Sequence, residues 1–156
     1  MIKPDDNAAV ASLVRTTLTE FGLNKPGTVY YDDSTDHLHE LFRRERSVYY
    51  VAEQNGDIIG GAGIYPSDGL PDDMCELVKM YLRPAARGKG LGRTLIQQCV
   101  DFAAVAGYKQ VYLETMPELR QATTVYEKFG FHYLDRQLGN TGHFGCEVWM
   151  LKKLHP

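Results

Sequence analysis

The chain has 156 residues, of which 44% are hydrophobic, 24% charged and 11% aromatic; these are the proportions of one globular domain with a core to bury, and they exclude a disordered chain. Seventeen Lys and Arg against 20 Asp and Glu give a formal net charge of −3, which excludes a broad basic surface for nucleic acid and leaves an anionic ligand dependent on a local basic site. No apolar run reaches the ~18–20 residues of a membrane span and the first residues lack the basic-then-apolar order of a signal peptide, so a cytoplasmic, non-membrane protein is expected.

Asp5 or Asp6 is placed to cap a first helix over residues 5–22, where Val10, Leu13, Val14, Leu18 and Phe21 recur at helical spacing before Gly22. A shorter helix is expected from Ser34 to Arg44 on the stripe Leu38, Leu41, Phe42. The period then changes to two. Ser47–Glu53 and Ile58–Tyr65 flank Asn55-Gly56 and predict a hairpin, and Met74–Leu82 predicts a third strand stopped by Pro84, which makes an antiparallel meander. Gly90–Ala106 reads as a helix carrying Leu91, Leu95, Cys99, Ala103 and Ala106 on one face, and Val111–Thr115 as a fourth strand, parallel to the third through a right-handed crossover. Pro117–Phe129 is expected as a helix, with last strands near Phe131–Leu134 and Cys146–Leu151. The fold class is mixed α/β, and no linker or repeat divides the chain into more than one domain. Cys75, Cys99 and Cys146 lie in apolar stretches at no ligand spacing, so reduced cysteines and no metal are expected.

The densest chemical signal joins the third strand to the long helix. Arg83, Arg87, Lys89 and Arg93 fall within eleven residues that hold no acid, a local +4 on a chain whose remainder carries −7, and Gly88, Gly90 and Gly92 alternate among them. Alternating glycines let main-chain N–H groups approach an anion, and a helix start adds unpartnered donors and the positive end of the dipole. A helix-capping turn accounts for many glycine-rich stretches, but the basic residues tip this one towards phosphate. Neither a Walker loop nor a dinucleotide fingerprint fits, because Gly90 follows Lys89 and Arg93 stands where the last glycine of the fingerprint belongs.

Strand, Arg87-x-x-Gly90-x-Gly92, helix and strand resemble the coenzyme A pyrophosphate loop of the GCN5-related N-acetyltransferase (GNAT) superfamily, and Ala122–Phe131 is similar to the second half of that family's signature. The resemblance covers residues 74–134. It implies the GNAT fold, with a mixed, mostly antiparallel sheet flanked by helices, and acetyl-CoA as cosubstrate. It also implies cofactor contacts from Arg87, Gly88, Lys89, Gly90, Leu91, Gly92, Arg93 and Thr94, and from the main chain of Met80, Tyr81 and Leu82. Two departures stand out: Leu119 occupies a position where the family often has a cofactor-binding Asn, and only Met1-Ile-Lys3 precedes the first helix where a first strand is usual.

Three residues are candidates for catalysis. Tyr126 lies on the stripe Leu119, Ala122, Tyr126, Phe129, as a core tyrosine would, and the resemblance makes it the acid that protonates the leaving thiolate. Glu76 sits in an apolar run, on one face with Val78, Met80 and Leu82 if the strand is regular. A strand-end glutamate facing solvent would look the same, but Glu76 is eleven residues before Arg87, the spacing of a base glutamate in histone-acetylating members. By the same resemblance the Met80 N–H, four residues on, meets the acetyl carbonyl at a bulge. His143 and Asn140 belong to a glycine-rich stretch that reads first as a loop between the last strands, and they could orient an amine or help deprotonate it. His37 and His39 read as exposed helix residues, and the acidic loop Asp68–Asp73 as solvated.

The expected function is acetyl transfer to a small-molecule or peptide amine by direct attack in a ternary complex, with Glu76 as first choice of base and His143 as second. A non-catalytic acyl-CoA-binding module is the alternative, and a homodimer is left open.

Overall fold

The computed structural model describes residues 1–155. Six strands form one sheet: β1 (Val48–Gln54), β2 (Asp57–Tyr65), β3 (Met74–Leu82), β4 (Gln110–Thr115), β5 (His132–Leu134) and β6 (Val148–Lys153), in the order β1-β2-β3-β4-β6-β5. Every joint is antiparallel except β3–β4, as the crossover through a helix requires. Asn55 and Gly56 make the β1–β2 turn with φ of 52° and 83°.

Four helices cover the sheet: α1 (Asn7–Glu20), α2 (Leu38–Leu41), α3 (Leu91–Val105) and α4 (Arg120–Lys128). On one face, Leu95, Ile96 and Cys99 of α3 and Tyr126 of α4 pack against Ile64, Leu77 and Val111. On the other, Val10, Leu13, Val14 and Leu18 of α1 pack with Leu38, Tyr49 and Ile58. Each such side chain withdrawn from water contributes about 1.5–3 kcal/mol before conformational entropy is counted, and two apolar faces secure the sheet on both sides.

Three expectations differ from what forms: the cap of α1, the second helix and the start of α4. Asp6 precedes α1, but its carboxylate turns back to accept from the Lys3 N–H at 2.8 Å and does not cap the helix. The helix expected over Ser34–Arg44 is broken into a 3₁₀ turn at Asp33–Asp36 and the single turn α2, with His37 at φ −135° between them. Tertiary bonds account for the break: Thr35 Oγ1 donates to the Val29 carbonyl at 2.7 Å and Asp36 pairs with Arg15 of α1 at 2.6 Å. The helix α4 starts at Arg120, not Pro117, because a Leu119 N–H to Met116 carbonyl turn (3.0 Å) comes first. Before α1, the Ile2 N–H bonds to the Tyr49 carbonyl at 2.9 Å, and no strand forms there.

Candidate active site

The parallel joint holds for only three residue pairs and ends at Glu76 opposite Tyr112. β4 pairs with β6 along its whole length but with β3 no further, so from Leu77 to Leu82 the edge of β3 that faces β4 is left unpaired. The split opens into a cavity of about 760 Å³, with Leu77–Leu82 on one wall, Glu114–Met116 on the other, and Glu76, His143 and Tyr126 among its lining. Its far end runs over Gly88, Gly90 and Gly92, where β3 gives way to α3.

Those glycines form a cradle. Gly88 and Gly90 adopt φ of +75° and +82°, and a Cβ on either would meet nothing within 4 Å, so the space above them is open to a ligand. Gly90 is the N-cap of α3 and brings no side chain to its first N–H groups, which leaves those donors and the dipole for an anion. The four basic residues divide. Arg87 is tied to the fold: its guanidinium donates to the Leu82 carbonyl at 3.1 and 3.0 Å and pairs with Glu20 of α1 at 2.6 Å. Arg83 donates to the Ile58 carbonyl at 3.2 Å. Lys89 and Arg93 are exposed, and Arg93 also lines the cavity. Leu91 packs into the core beside α3, and the Thr94 hydroxyl donates to the Gly90 carbonyl at 3.2 Å. A pyrophosphate fits this end through main-chain donors supported by two cations.

A β-bulge shapes the wall opposite β4. Gly61 of β2 pairs with Tyr81 and Gly63 with Val78, so Lys79 and Met80 together face Ala62. Lys79 takes up the extra residue with φ of 52°, a conformation uncommon outside Gly, Asn and Asp. This corrects the facing of the strand: Met80 and Leu82 pack with Leu77 on the α3 side, while Val78 and Tyr81 lie on the α1 side with Glu76. The bulge is pinned by Tyr49, whose hydroxyl donates to the Lys79 carbonyl at 2.8 Å. Its ring reaches there across two glycines, since a Cβ at Gly61 or Gly63 would lie 2.6 or 2.7 Å from it. Tyr49→Phe is therefore expected to leave a buried carbonyl unpaired and lower stability by about 1–3 kcal/mol; thermal melting checks this, and an unchanged Tm would show the bulge needs no pin.

Around Glu76 the α1 side of the cavity gathers ionisable groups. Glu76 is 4% exposed and accepts from the Ser67 hydroxyl. Burial raises its pKa to about 7, helped by the charge of Glu114 and opposed by Ser67, His143 and Lys79. The Glu114 side chain is 1% exposed, yet its pKa is lowered, because bonds from His143, Thr141 (2.6 Å), Tyr112 (2.8 Å) and Gln137 (2.8 Å) outweigh its desolvation. His143 lies between two carboxylates, with Nε2 2.7 Å from Asp32 and Nδ1 3.5 Å from Glu114. Burial works against its charge, but those two partners prevail and raise its pKa to about 9. At neutral pH it is an imidazolium. Ligand atoms of Glu76, Glu114 and His143 approach within 4.8 Å, close enough to share a cation; the imidazolium itself fills that electrostatic role.

Tyr126 is 6% exposed, rests on Phe131 at a centroid distance of 5.8 Å, and lines the cavity from α4. Burial holds its hydroxyl protonated well above the ordinary tyrosine range. Cys146 also lines the cavity, its thiol pushed up to about 12 by burial. Glu76, Met80, Tyr81, Leu82, Tyr126 and His143 thus converge, but Asn140 does not: it is exposed, with its N–H on the Asp68 carbonyl at 2.7 Å, away from the cavity. His37 and His39 also lie outside the lining. Sequence reasoning missed Glu114, Asp32 and Ser67. Of these only Glu114 carried a signal, as a carboxylate two residues after Tyr112 on a strand whose alternate positions share a face.

The family model for the acetyltransferase (GNAT) family matches residues 11–131. An Escherichia coli protein, the uncharacterized N-acetyltransferase YjgM, is 41% identical over 150 residues, covering 96% of this chain and 90% of its own. Among solved structures, a Staphylococcus aureus acetyltransferase of the GNAT family superposes with a TM-score of 0.85 at 16% identity, over 99% of this chain and 96% of its own. The Salmonella typhimurium protein yncA, a putative acetyltransferase solved with its cofactor acetyl-CoA, gives 0.76 at 19% identity, over 99% and 92%. The chain belongs to the acetyltransferase (GNAT) family.

Proposed function

We propose that the protein transfers an acetyl group from acetyl-CoA to a primary amine that attacks directly within a ternary complex. Glu76 carries this reading: a buried carboxylate titrating at about 7 lines the foot of a cleft whose far end is a glycine-lined helix start. Bound acetyl-CoA supplies the acetyl group as a thioester. The chain's own part begins with the amine. An alkyl ammonium has a pKa near ~10.4 and must lose a proton before it can attack, and a base titrating near the working pH is best suited to take it. Glu76 is that base, directly or through a water. His143, protonated to about 9, already holds its proton and serves to balance the charge of Asp32 and Glu114.

The unpaired edge from Met80 through Leu82 holds the extended arm of the cofactor through its main chain. The Met80 N–H is the donor for the acetyl carbonyl oxygen, a role that needs a fixed amide and not a particular side chain. Main-chain donors from Gly88 to Arg93, with Gly88, Gly90 and Gly92 keeping the approach open, hold the phosphates together with the side chains of Lys89 and Arg93, while the Arg87 and Thr94 N–H groups stay bonded to the Pro84 and Gly90 carbonyls. Tyr126 gives its proton to the departing sulfur. A covalent acetyl-enzyme lacks an activated nucleophile, since Cys146 is a thiol to about 12.

Among the described residues no helix is long and apolar enough to cross a membrane. Cys75 and Cys99 are buried free thiols, which suits the reducing cytoplasm, and the whole chain is read as one domain. The test is release of free thiol from acetyl-CoA over a panel of small amines and lysine or N-terminal peptides. Release with one class identifies the acceptor type. Tight CoA binding with no release over the whole panel would make the protein an acyl-CoA-binding module instead.

A further inference from the structure

We infer that the acceptor amine also carries a carboxylate, which pairs with Lys79. This rests on the acetyltransferase reading and concerns the acceptor end of the same cleft. Lys79 is 9% exposed and lines the cavity. In an unbulged strand it would share a face with Leu77 and point into the apolar layer under α3; the bulge instead puts it on the side of Glu76 and Asp32, whose charges act on it. Among the described residues its ammonium makes no ion pair or hydrogen bond. The nearby carboxylates are engaged elsewhere, Asp32 with His143 at 2.7 Å and Glu76 with the Ser67 hydroxyl.

An ammonium at the wall of a cavity, without a counter-ion and largely withdrawn from bulk water, is costly, and burial draws the Lys79 pKa below its usual value. An incoming carboxylate removes that cost. The phosphates of the cofactor are not the missing partner, because their cradle lies beyond Leu82 at the start of α3, where Gly92 neighbours Leu82 and Met80, whereas the charges acting on Lys79 are those of Asp32 and Glu76. The acceptor end therefore offers one unpaired cation beside carboxylates that favour an ammonium. Its complement is a molecule with both charges, such as a free amino acid or a conjugate that keeps its amino and carboxylate groups.

Matched trios test this, each an amino acid, its carboxamide and its decarboxylated amine, assayed for thiol release with the wild type, Lys79→Met and Lys79→Arg. The wild-type kcat/KM for the acid is expected to exceed that for the other two by at least about tenfold, and the ratio to fall to near one in Lys79→Met and recover in Lys79→Arg, as for removal of one partner of a buried charge pair. Calorimetry with CoA present provides a readout besides turnover: the acid should bind the wild type and not Lys79→Met. Wild-type preference for the decarboxylated amine, or an acid preference that survives Lys79→Met, overturns the inference while leaving the acetyltransferase reading intact. Release with no member of any trio or of the wider amine panel overturns both.

Discussion

Glu76→Gln is expected to lower kcat by about 10²–10³-fold, the range for loss of a positioned general base, while leaving the Kd for acetyl-CoA within about twofold. The wild-type rate should rise with pH through an inflection near 7, where Glu76 ionises, and this rise should vanish in the variant. The same shift has a stability consequence of opposite sense. Glu76 has an ordinary value of 4.5 and titrates at about 7 when folded, so between those values the native chain holds a proton that the unfolded chain has lost. Stability therefore falls as pH rises through that window and stays lower above it, by about 3 kcal/mol for a shift of this size. The glutamine variant escapes that loss but weakens the contact with Ser67, so a net gain of about 1–3 kcal/mol at pH 8 is expected, with little gain at pH 4. Melting curves at the two pH values check this together with the kinetics. A slower enzyme that is no more stable at pH 8 would mean that Glu76 is not held against its ionisation.

Tyr126→Phe should be the second large loss, about 10²-fold in kcat for removal of a general acid. The substitution keeps the ring against Phe131 and takes away only a hydroxyl at the cavity wall, so the Tm should stay within about 2 °C. Coenzyme A affinity should likewise hold. Since burial keeps the Tyr126 proton in place far above neutral pH, the wild-type profile owes no alkaline fall between pH 7 and 9 to this group. A Tyr126→Phe enzyme with full turnover would remove Tyr126 from the mechanism and leave water to protonate the leaving sulfur.

The two variants divide the site by its two sheet faces. Glu76 belongs to the α1 side, with Asp32, Glu114, Lys79 and His143, where the proposed reaction brings the amine; Tyr126 approaches from α4 on the other side, where the proposal puts the sulfur. What joins them is the split between β3 and β4, which exists because β4 leaves β3 after three residue pairs and continues with β6.

The local order of the chain was legible in the residues. Asn55-Gly56 marks the hairpin, Pro84 the end of β3, and the glycine alternation with the basic residues at 83–93 marks an open, basic turn suited to an anion. Helical and strand periodicity found α1, α3 and every strand, because burial of one face imposes a repeat that a window of ten residues contains. The helix expected at Ser34–Arg44 failed for the converse reason: its fate is decided by Asp36 reaching Arg15 and Thr35 reaching Val29, contacts no local window includes.

The site followed the same division. The proposed cofactor end is one contiguous segment, Arg87 to Thr94, whose glycine conformations and local charge are readable from the sequence alone. Its acceptor end is assembled from Asp32, Ser67, Glu76, Lys79, Glu114 and His143, spread over 111 residues between the bonded pair Asp32 and His143. Only the tertiary structure decided which of these meet, which proton each holds, and on which face Lys79 falls. The physical reason is that burial and the distances between charges, which set those protonation states, belong to the packed fold, whereas a turn or a helix start is built from neighbours in the chain.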